Sequence, residues 1–289
     1  MRLSSVSLLI GLLFSTAIIS CNKEDTTETE GLPQLDLSKV AYGSDTAQNI
    51  DVYLPANRDT AHTKVVLFIH GGSWSGGDKI DFTDAITAIR AQLPDYAIFN
   101  MNYRLAANGK NRFPAQIEDI QAALDFIESN AGEYKINTDK VALVGASAGA
   151  HLALLQAYKY NSSGKIKAVI DLFGPTDLTD LYNNHPIPEA SHQVLVNFLG
   201  ATPATNPSVY EQASPINFIN AQSVPTRIFH GTVDIVAPIS QSRALKAKLE
   251  ANNVKVEMTE YADEGHGWLG NNLADTYAKS VLFIKENVR

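Results

Sequence analysis

Five residues carry the strongest chemical signal in this chain: Gly145-Ala146-Ser147-Ala148-Gly149. An apolar β-type run, Val141-Ala142-Leu143-Val144, leads into them, and a helix-forming run, Ala150-His151-Leu152-Ala153-Leu154-Leu155, leads out. A G-x-S-x-G string between a strand and a helix makes a sharp turn that lifts the serine hydroxyl out of the sheet edge. Glycine stands two residues before and two after because side chains would collide there. The first N–H groups of the helix lack intrahelical partners and point at the same spot. A serine held this way is a candidate nucleophile, and acyl transfer is the chemistry it would perform.

Such a serine needs a base, a group that orients the base, and donors for the oxyanion that forms. His266 lies between two glycines in Asp263-Glu264-Gly265-His266-Gly267-Trp268, after the last strand-like run. Its imidazole can shuttle a proton near neutral pH, so it is the candidate base. Two acids compete, Asp234 in Phe229-His230-Gly231-Thr232-Val233-Asp234 and Asp177 in Phe173-Gly174-Pro175-Thr176-Asp177. We favour Asp234, which falls between Ser147 and His266 in the order serine, acid, histidine and sits at a strand end. His70-Gly71-Gly72-Ser73-Trp74 follows another apolar run, and its glycines let backbone N–H groups approach a substrate. Gly71, Gly72 and Ala148 are therefore the expected oxyanion donors, with Trp74 and Trp268 as expected pocket walls. The other histidines read as bland: His151 on the helix after the serine, His230 as a buried polar residue, His62, His185 and His192 in loops. No H-x-x-x-H or H-E-x-x-H spacing occurs, so neither a metal nor a cofactor is expected.

The elements that must hold these residues can be read from hydrophobic period. Val65 to Ile69, Ala97 to Met101, Val141 to Val144, Ala168 to Leu172 and Thr226 to Phe229 are apolar without alternation, as strands buried on both faces are. Val40 to Tyr42 and Ile50 to Leu54 look like opening strands, and Val254 to Met258 alternates like an edge. Pro114 to Glu128, Ile239 to Glu250 and Leu273 to Val288 show helical spacing. Strands alternating with helices predict a mostly parallel, doubly wound α/β sheet. The segment at about 176–220 is rich in Pro, Asn and Ser and contains one helical stretch, Gln193 to Leu199. It reads as a small insertion over the strand ends, where ligands bind in open α/β sheets.

The chain has 289 residues, 45% hydrophobic and 19% charged, which suits one large domain with a sizeable core. Its net charge is -8 and it has no basic cluster, so no nucleic-acid partner is expected. The N-terminus follows other rules. Arg2 precedes a short apolar run from Val6 to Ile19, which suits a signal peptide better than a membrane span. Ile18-Ile19-Ser20-Cys21 resembles a bacterial lipobox, and Cys21 is the only cysteine in the chain. Residues 1–20 are thus expected to be a lipoprotein signal peptide and Cys21 the lipidation site. Residues 21–36 are expected to form a flexible acidic tether. The domain proper would be 37–289. Lys23-Glu24-Asp25 resembles the acidic export tag of surface-exposed lipoproteins, so an exported, outer-membrane-anchored protein is expected.

From about Leu37 to Val288 the sequence resembles an α/β-hydrolase, specifically the esterase/lipase group with an H-G-G-x-W loop, a carboxylesterase or acetyl-xylan-esterase-like set. Asn102-Tyr103-Arg104-Leu105, Phe113-Pro114-Ala115-Gln116 with Asp119, and Gly145 to Ala153 carry the likeness alongside the motifs above. The resemblance implies hydrolysis of short-chain acyl esters, acetyl or related groups on carbohydrate included, through an acyl-enzyme on Ser147. The substrate partner would be a small-molecule or carbohydrate ester. An arylformamidase-type amide hydrolase and a non-catalytic binding module on a hydrolase scaffold are the alternatives. Ser73 departs from the H-G-G-G form of lipases, which leaves the role of that position open. Acyl length, alcohol partner and oligomeric state are open as well.

Overall fold

The continuous apolar runs become the inner strands of one eight-stranded sheet. A computed structural model describes residues 31–289, so the expected signal peptide, Cys21 and the tether up to residue 30 lie outside the described residues. The strands are β1 Leu35–Ala41, β2 Asn49–Leu54, β3 Lys64–Ile69, β4 Tyr96–Met101, β5 Val141–Ala146, β6 Ile166–Leu172, β7 Thr226–Gly231 and β8 Val256–Tyr261. Their order is β1-β2-β4-β3-β5-β6-β7-β8. β1 and β2 pair antiparallel, as do β2 and β4, and the remaining pairs are parallel. This is the mostly parallel, helix-flanked sheet of an α/β-hydrolase.

The helices are α1 Thr83–Ile89, α2 Ala115–Ser129, α3 Ala131–Tyr134, α4 Ala148–Lys159, α5 Leu178–Asn184, α6 Pro188–Leu199, α7 Pro207–Ala213, α8 Ser240–Ala251 and α9 Gly270–Asn287. The lack of alternation in β3 has a direct cause. Val65, Leu67 and Ile69 pack with Ile117 and Ile120 of α2 and Leu152 of α4. Val66 and Phe68 pack on the opposite face with Ile86 of α1 and Ile284 of α9. Period-two side chains thus enter two different cores, and both must be apolar.

Two expectations change, and one unassigned stretch gains structure. β1 starts at Leu35, two residues before the expected domain start at 37. Leu35 pairs with Leu54 and Leu37 with Val52, but β1 is a largely exposed edge strand with little hydrophobic signal. A 3-10 turn at Lys79–Phe82 and α1 fill a stretch with no sequence expectation. The segment 176–220 holds three α-helices and a further 3-10 turn at Pro215–Phe218, not one helical stretch. Its polar residues start helices rather than break them. Asp177 and Asn206 accept N–H bonds as N-caps, and Pro188 and Pro207 occupy first-turn positions where a missing N–H costs nothing.

One buried carboxyl is shifted far from its usual range by this architecture. Asp171 on β6 is fully buried, its Oδ1 accepts the Gly174 N–H at 2.8 Å, and its Oδ2 has no partner among the described residues. Burial pushes its carboxyl up to about 7, against the lowering effect of the Gly174 bond. A folded-state pKa raised above the unfolded value means stability that is full below about pH 4 and lost as pH rises through 7. Asp171→Asn keeps the shape without the charge. The stability of this variant relative to wild type should therefore grow from pH 4 to pH 8, by up to roughly 4 kcal/mol. Urea unfolding of both proteins at pH 4, 6 and 8 checks this; a difference that stays constant across the range contradicts it.

Candidate active site

The turn between β5 and α4 places Ser147 at the carboxyl edge of the sheet. Ser147 has φ 53° and ψ −119°, a backbone conformation L residues rarely adopt. Its N–H donates to Leu172 O at 2.8 Å, which ties the strained turn to the end of β6. The flanking glycines are required by contact. A Cβ on Gly145 would lie 2.4 Å from Gly149 C, and one on Gly149 would lie 2.0 Å from Ile69 O. α4 can therefore press against the end of β3 and hold the serine beside the loop that follows it.

Three sequence-predicted residues meet here. The Ser147 hydroxyl lies 2.8 Å from His266 Nε2, and His266 Nδ1 lies 2.6 Å from Asp234 Oδ2. A carboxylate can only accept, so Nδ1 carries the hydrogen and Nε2 presents its lone pair to the Ser147 O–H. His266 is partly exposed, whereas the Asp234 carboxylate is wholly buried. Burial alone would raise the Asp234 pKa. Bonds from His230 and His266, and the Ala237 N–H, outweigh it and hold the carboxyl well below the usual range. Asp234 is thus ionised, with Oδ1 accepting the Val236 and Ala237 N–H groups at 2.8 and 3.0 Å. Asp177 is elsewhere: its carboxylate accepts the Asp180 N–H and caps α5.

The glycine loop comes to the serine from the other side. A Cβ on Gly71 would sit 3.3 Å from Ser147 Cβ, so its backbone lies against the nucleophile. Ala148 opens α4, and its N–H is one of the helix's orphan donors. Gly72 at φ 109° turns the loop back, with its carbonyl accepting the Ser75 and Gly76 N–H groups. A cavity of about 170 Å³ opens on Ser147 and Ala148, with Ser73 and Trp74 on its wall. Gly71 and Gly72 do not line it.

Trp268 does not line this cavity and is corrected from pocket wall to support. It is buried, donates from Nε1 to Thr276 Oγ1 at 2.8 Å, and meets Phe173 edge-on at 5.4 Å. Phe173 in turn lies under the His266 ring with centroids 4.7 Å apart. Phe173 carried no sequence signal, since a lone aromatic at a strand end has many uses.

Two histidines read as bland in the sequence hold this site together, and His230 is the buried polar residue expected. His230, fully buried on β7, places Nε2 2.8 Å from Ala237 O and 3.2 Å from Asp234 Oδ2, the same oxygen that His266 uses. A carbonyl only accepts, so Nε2 is the donor and Nδ1 is free to accept the Ser242 hydroxyl at 2.7 Å. His151, one turn after Ser147, accepts the Trp74 indole N–H at 3.1 Å and donates to Ala213 O at 2.7 Å. Burial pushes its imidazole down to about 4, against the Ala213 bond. It stays neutral at physiological pH and joins α4, the glycine loop and the inserted helices. The spacing His230 to Asp234 was visible in the sequence, but its meaning depends on a turn that brings i and i+4 together. Outside these residues, Asp119 accepts the Arg104 N–H at 2.7 Å and pairs with its guanidinium, which fixes the chain behind the glycine loop. Among the described residues no group of three or more His, Cys, Asp or Glu could hold a metal ion. The whole arrangement can activate a serine hydroxyl, keep the resulting imidazolium against a buried carboxylate and present backbone donors to an oxyanion.

Comparison with known proteins follows the same direction. The family model described as BD-FAE matches residues 50–249. Esterase LipC of Mycobacterium tuberculosis is 28% identical over 248 residues, covering 80% of this chain and 59% of that protein. The probable carboxylic ester hydrolase LipM of the same organism is 28% identical over 230 residues, covering 74% of this chain and 51% of that protein. The chain thus spans between about half and three fifths of the length of these curated relatives. A solved structure titled as a truncated carbohydrate esterase from gut microbiota superposes with a TM-score of 0.73 at 25% identity, covering 87% of this chain and 95% of that one.

The bonds of His230 set a stability expectation. His230→Ala strands the Ser242 hydroxyl, the Ala237 carbonyl and part of the Asp234 carboxylate in a buried space. Chemical denaturation should show a loss of about 2–3 kcal/mol relative to wild type. A loss under about half a kcal/mol would mean that the imidazole carries no structural role there.

Proposed function

The chain belongs to the BD-FAE family, and on that premise we propose that it is a serine carboxylic ester hydrolase. The observation that carries the reading is the continuous contact Ser147 Oγ to His266 Nε2 at 2.8 Å and His266 Nδ1 to Asp234 Oδ2 at 2.6 Å. Ser147 Oγ bonds to the ester carbonyl carbon as His266 Nε2 takes the hydroxyl proton. Asp234 keeps the imidazole in the productive tautomer and offsets its charge. The tetrahedral oxyanion takes hydrogen bonds from the Ala148 N–H and from the loop at Gly71 and Gly72. Collapse breaks the bond to the alcohol oxygen, which receives the proton from His266. Water, activated by the same histidine, then releases the acid and restores Ser147.

For the substrate we propose short-chain acyl esters with a carbohydrate as the alcohol. The likeness to a gut-microbiota carbohydrate esterase across nearly all of that chain supports the alcohol. We also propose that the protein is exported and anchored in the outer membrane through a lipid on Cys21, on the lipobox-like sequence alone. Cys21→Ala should move the protein from the membrane fraction to the soluble fraction of its cells. Retention of this variant in the membrane would remove the anchor.

The catalytic assignment is tested by Ser147→Ala. Hydrolysis of p-nitrophenyl esters should fall by roughly 10⁴-fold with the fold intact, and a fluorophosphonate should label wild type but not the variant. Near-wild-type turnover by the folded variant would sink the assignment. Faster turnover of an N-formylaniline than of any ester would move the reading to amide hydrolysis. Failure of wild type to react with the fluorophosphonate would favour a binding role.

A further inference from the structure

We propose that the cavity beside Ser147 is an acyl pocket for aliphatic groups of about four to six carbons, so that acetate is not the preferred acid. This rests on the ester-hydrolase reading above and gives its substrate a definite acyl length. Three observations carry it.

The first is which half of the ester the cavity can hold. Its wall includes Ser147 and Ala148 but, among the described residues, not His266. The departing alcohol oxygen must lie at His266 Nε2 to collect its proton. The group on the far side of the carbonyl, away from the histidine, is the acyl chain.

The second is the chemistry of the wall. Pro175, Leu181, Val194, Leu195 and Val236 line it together with the Trp74 ring. The polar atoms among the lining residues are largely occupied. His185 accepts the Ile187 N–H through Nδ1 and faces Val236 O at 3.0 Å through Nε2, and the Ser191 hydroxyl donates to Pro188 O. The Trp74 indole N–H is taken by His151. A sugar hydroxyl placed here would give up its water and find few partners in exchange, whereas methylenes lose nothing. Ile187, Ile235 and Val236, which also line the cavity, are each about half exposed, so the apolar surface continues to its mouth.

The third is size. The cavity measures about 170 Å³. An apolar protein cavity of about 150 Å³ takes up benzene, a six-carbon molecule. An acetyl methyl group would leave most of this space empty, and a butyryl to hexanoyl chain would occupy it. Each methylene buried contributes roughly a fourfold gain in kcat/KM, so butyrate should exceed acetate by on the order of tenfold. The residues that set the depth lie on α5 and α6, within the helical insertion, so the insertion is a specificity element.

The experiment is a p-nitrophenyl ester series from acetate to decanoate on the chain lacking residues 1–21, with wild type, Val194→Phe and Val194→Ala. Val194 is half-buried on the cavity wall, so a larger side chain can enter the space without displacing the core. Wild type should peak between butyrate and hexanoate. Val194→Phe should lower the butyrate-to-acetate ratio of kcat/KM by tenfold or more, and Val194→Ala should move the optimum to a longer chain. Fluorophosphonate labelling of Ser147 and circular dichroism report whether each variant is folded. If Val194→Phe does not fold, Ala190→Phe at the exposed mouth replaces it. A wild-type optimum at acetate, or a butyrate-to-acetate ratio that the folded filling variant leaves unchanged, overturns the pocket while leaving ester hydrolysis standing. Absence of hydrolysis for every ester overturns the ester-hydrolase reading and the pocket with it.

Discussion

The contact between α4 and the end of β3 is the constraint on which the site depends. Gly149 lies so close to the Ile69 and His70 carbonyls that no side chain fits between them. That approach brings the first turn of the helix, with its unpaired N–H groups, to the loop at Gly71. It also forces Ser147 into its unusual backbone conformation, since the chain must reverse from strand to helix in a few residues. Strain of this kind persists only where surrounding structure over-determines it. Here the Leu172 carbonyl accepts the serine N–H, and the apolar side chains of α4, Leu152 and Leu154 among them, are fully buried.

The loops around this turn need fixing from outside, and buried imidazoles do much of it. His151 links the glycine loop to the insertion, His230 links the acid turn to β7 and α8, and His185 links the insertion to the acid turn. Each uses both ring nitrogens, so none leaves a buried polar atom unpaired. An imidazole is suited to this because one nitrogen donates and the other accepts, which lets a single side chain bridge two loops of opposite need. The result is that the serine, the base and the acid share one rigid frame, although they come from positions 147, 266 and 234.

Much of the fold was legible because its cause is local. The inner strands had to be apolar on both sides, and that writes short continuous apolar runs into the sequence. α2 was equally plain, with Ile117, Ile120, Ala123 and Ile127 buried at helical spacing. The parts that were missed share a different cause. Only the end of β1 was legible, as the expected strand from Val40 to Tyr42, because the rest of it is largely exposed and had no apolar requirement to write into the sequence. In the segment 176–220, Asp, Asn and Pro residues that cap and start helices read as loop formers, because the same physical properties serve both. Trp268 was read as a wall because an aromatic beside a candidate base invites it; packing instead sets it beneath Phe173, which supports the base.

The sequence by itself determined the sheet, the strand–turn–helix around Ser147 and the set of residues able to do acyl chemistry. Each follows from hydrophobic period, glycine spacing or the chemistry of single side chains, which act over a few residues. Only the tertiary structure decided that Asp234 and not Asp177 meets His266, that His230 shares the same carboxylate oxygen, and that a helical insertion shapes an apolar cavity at the serine. Most of those contacts join residues tens of positions apart. Side-chain type records which interactions a residue can make, and the packing of the whole chain selects the partner with which it makes them.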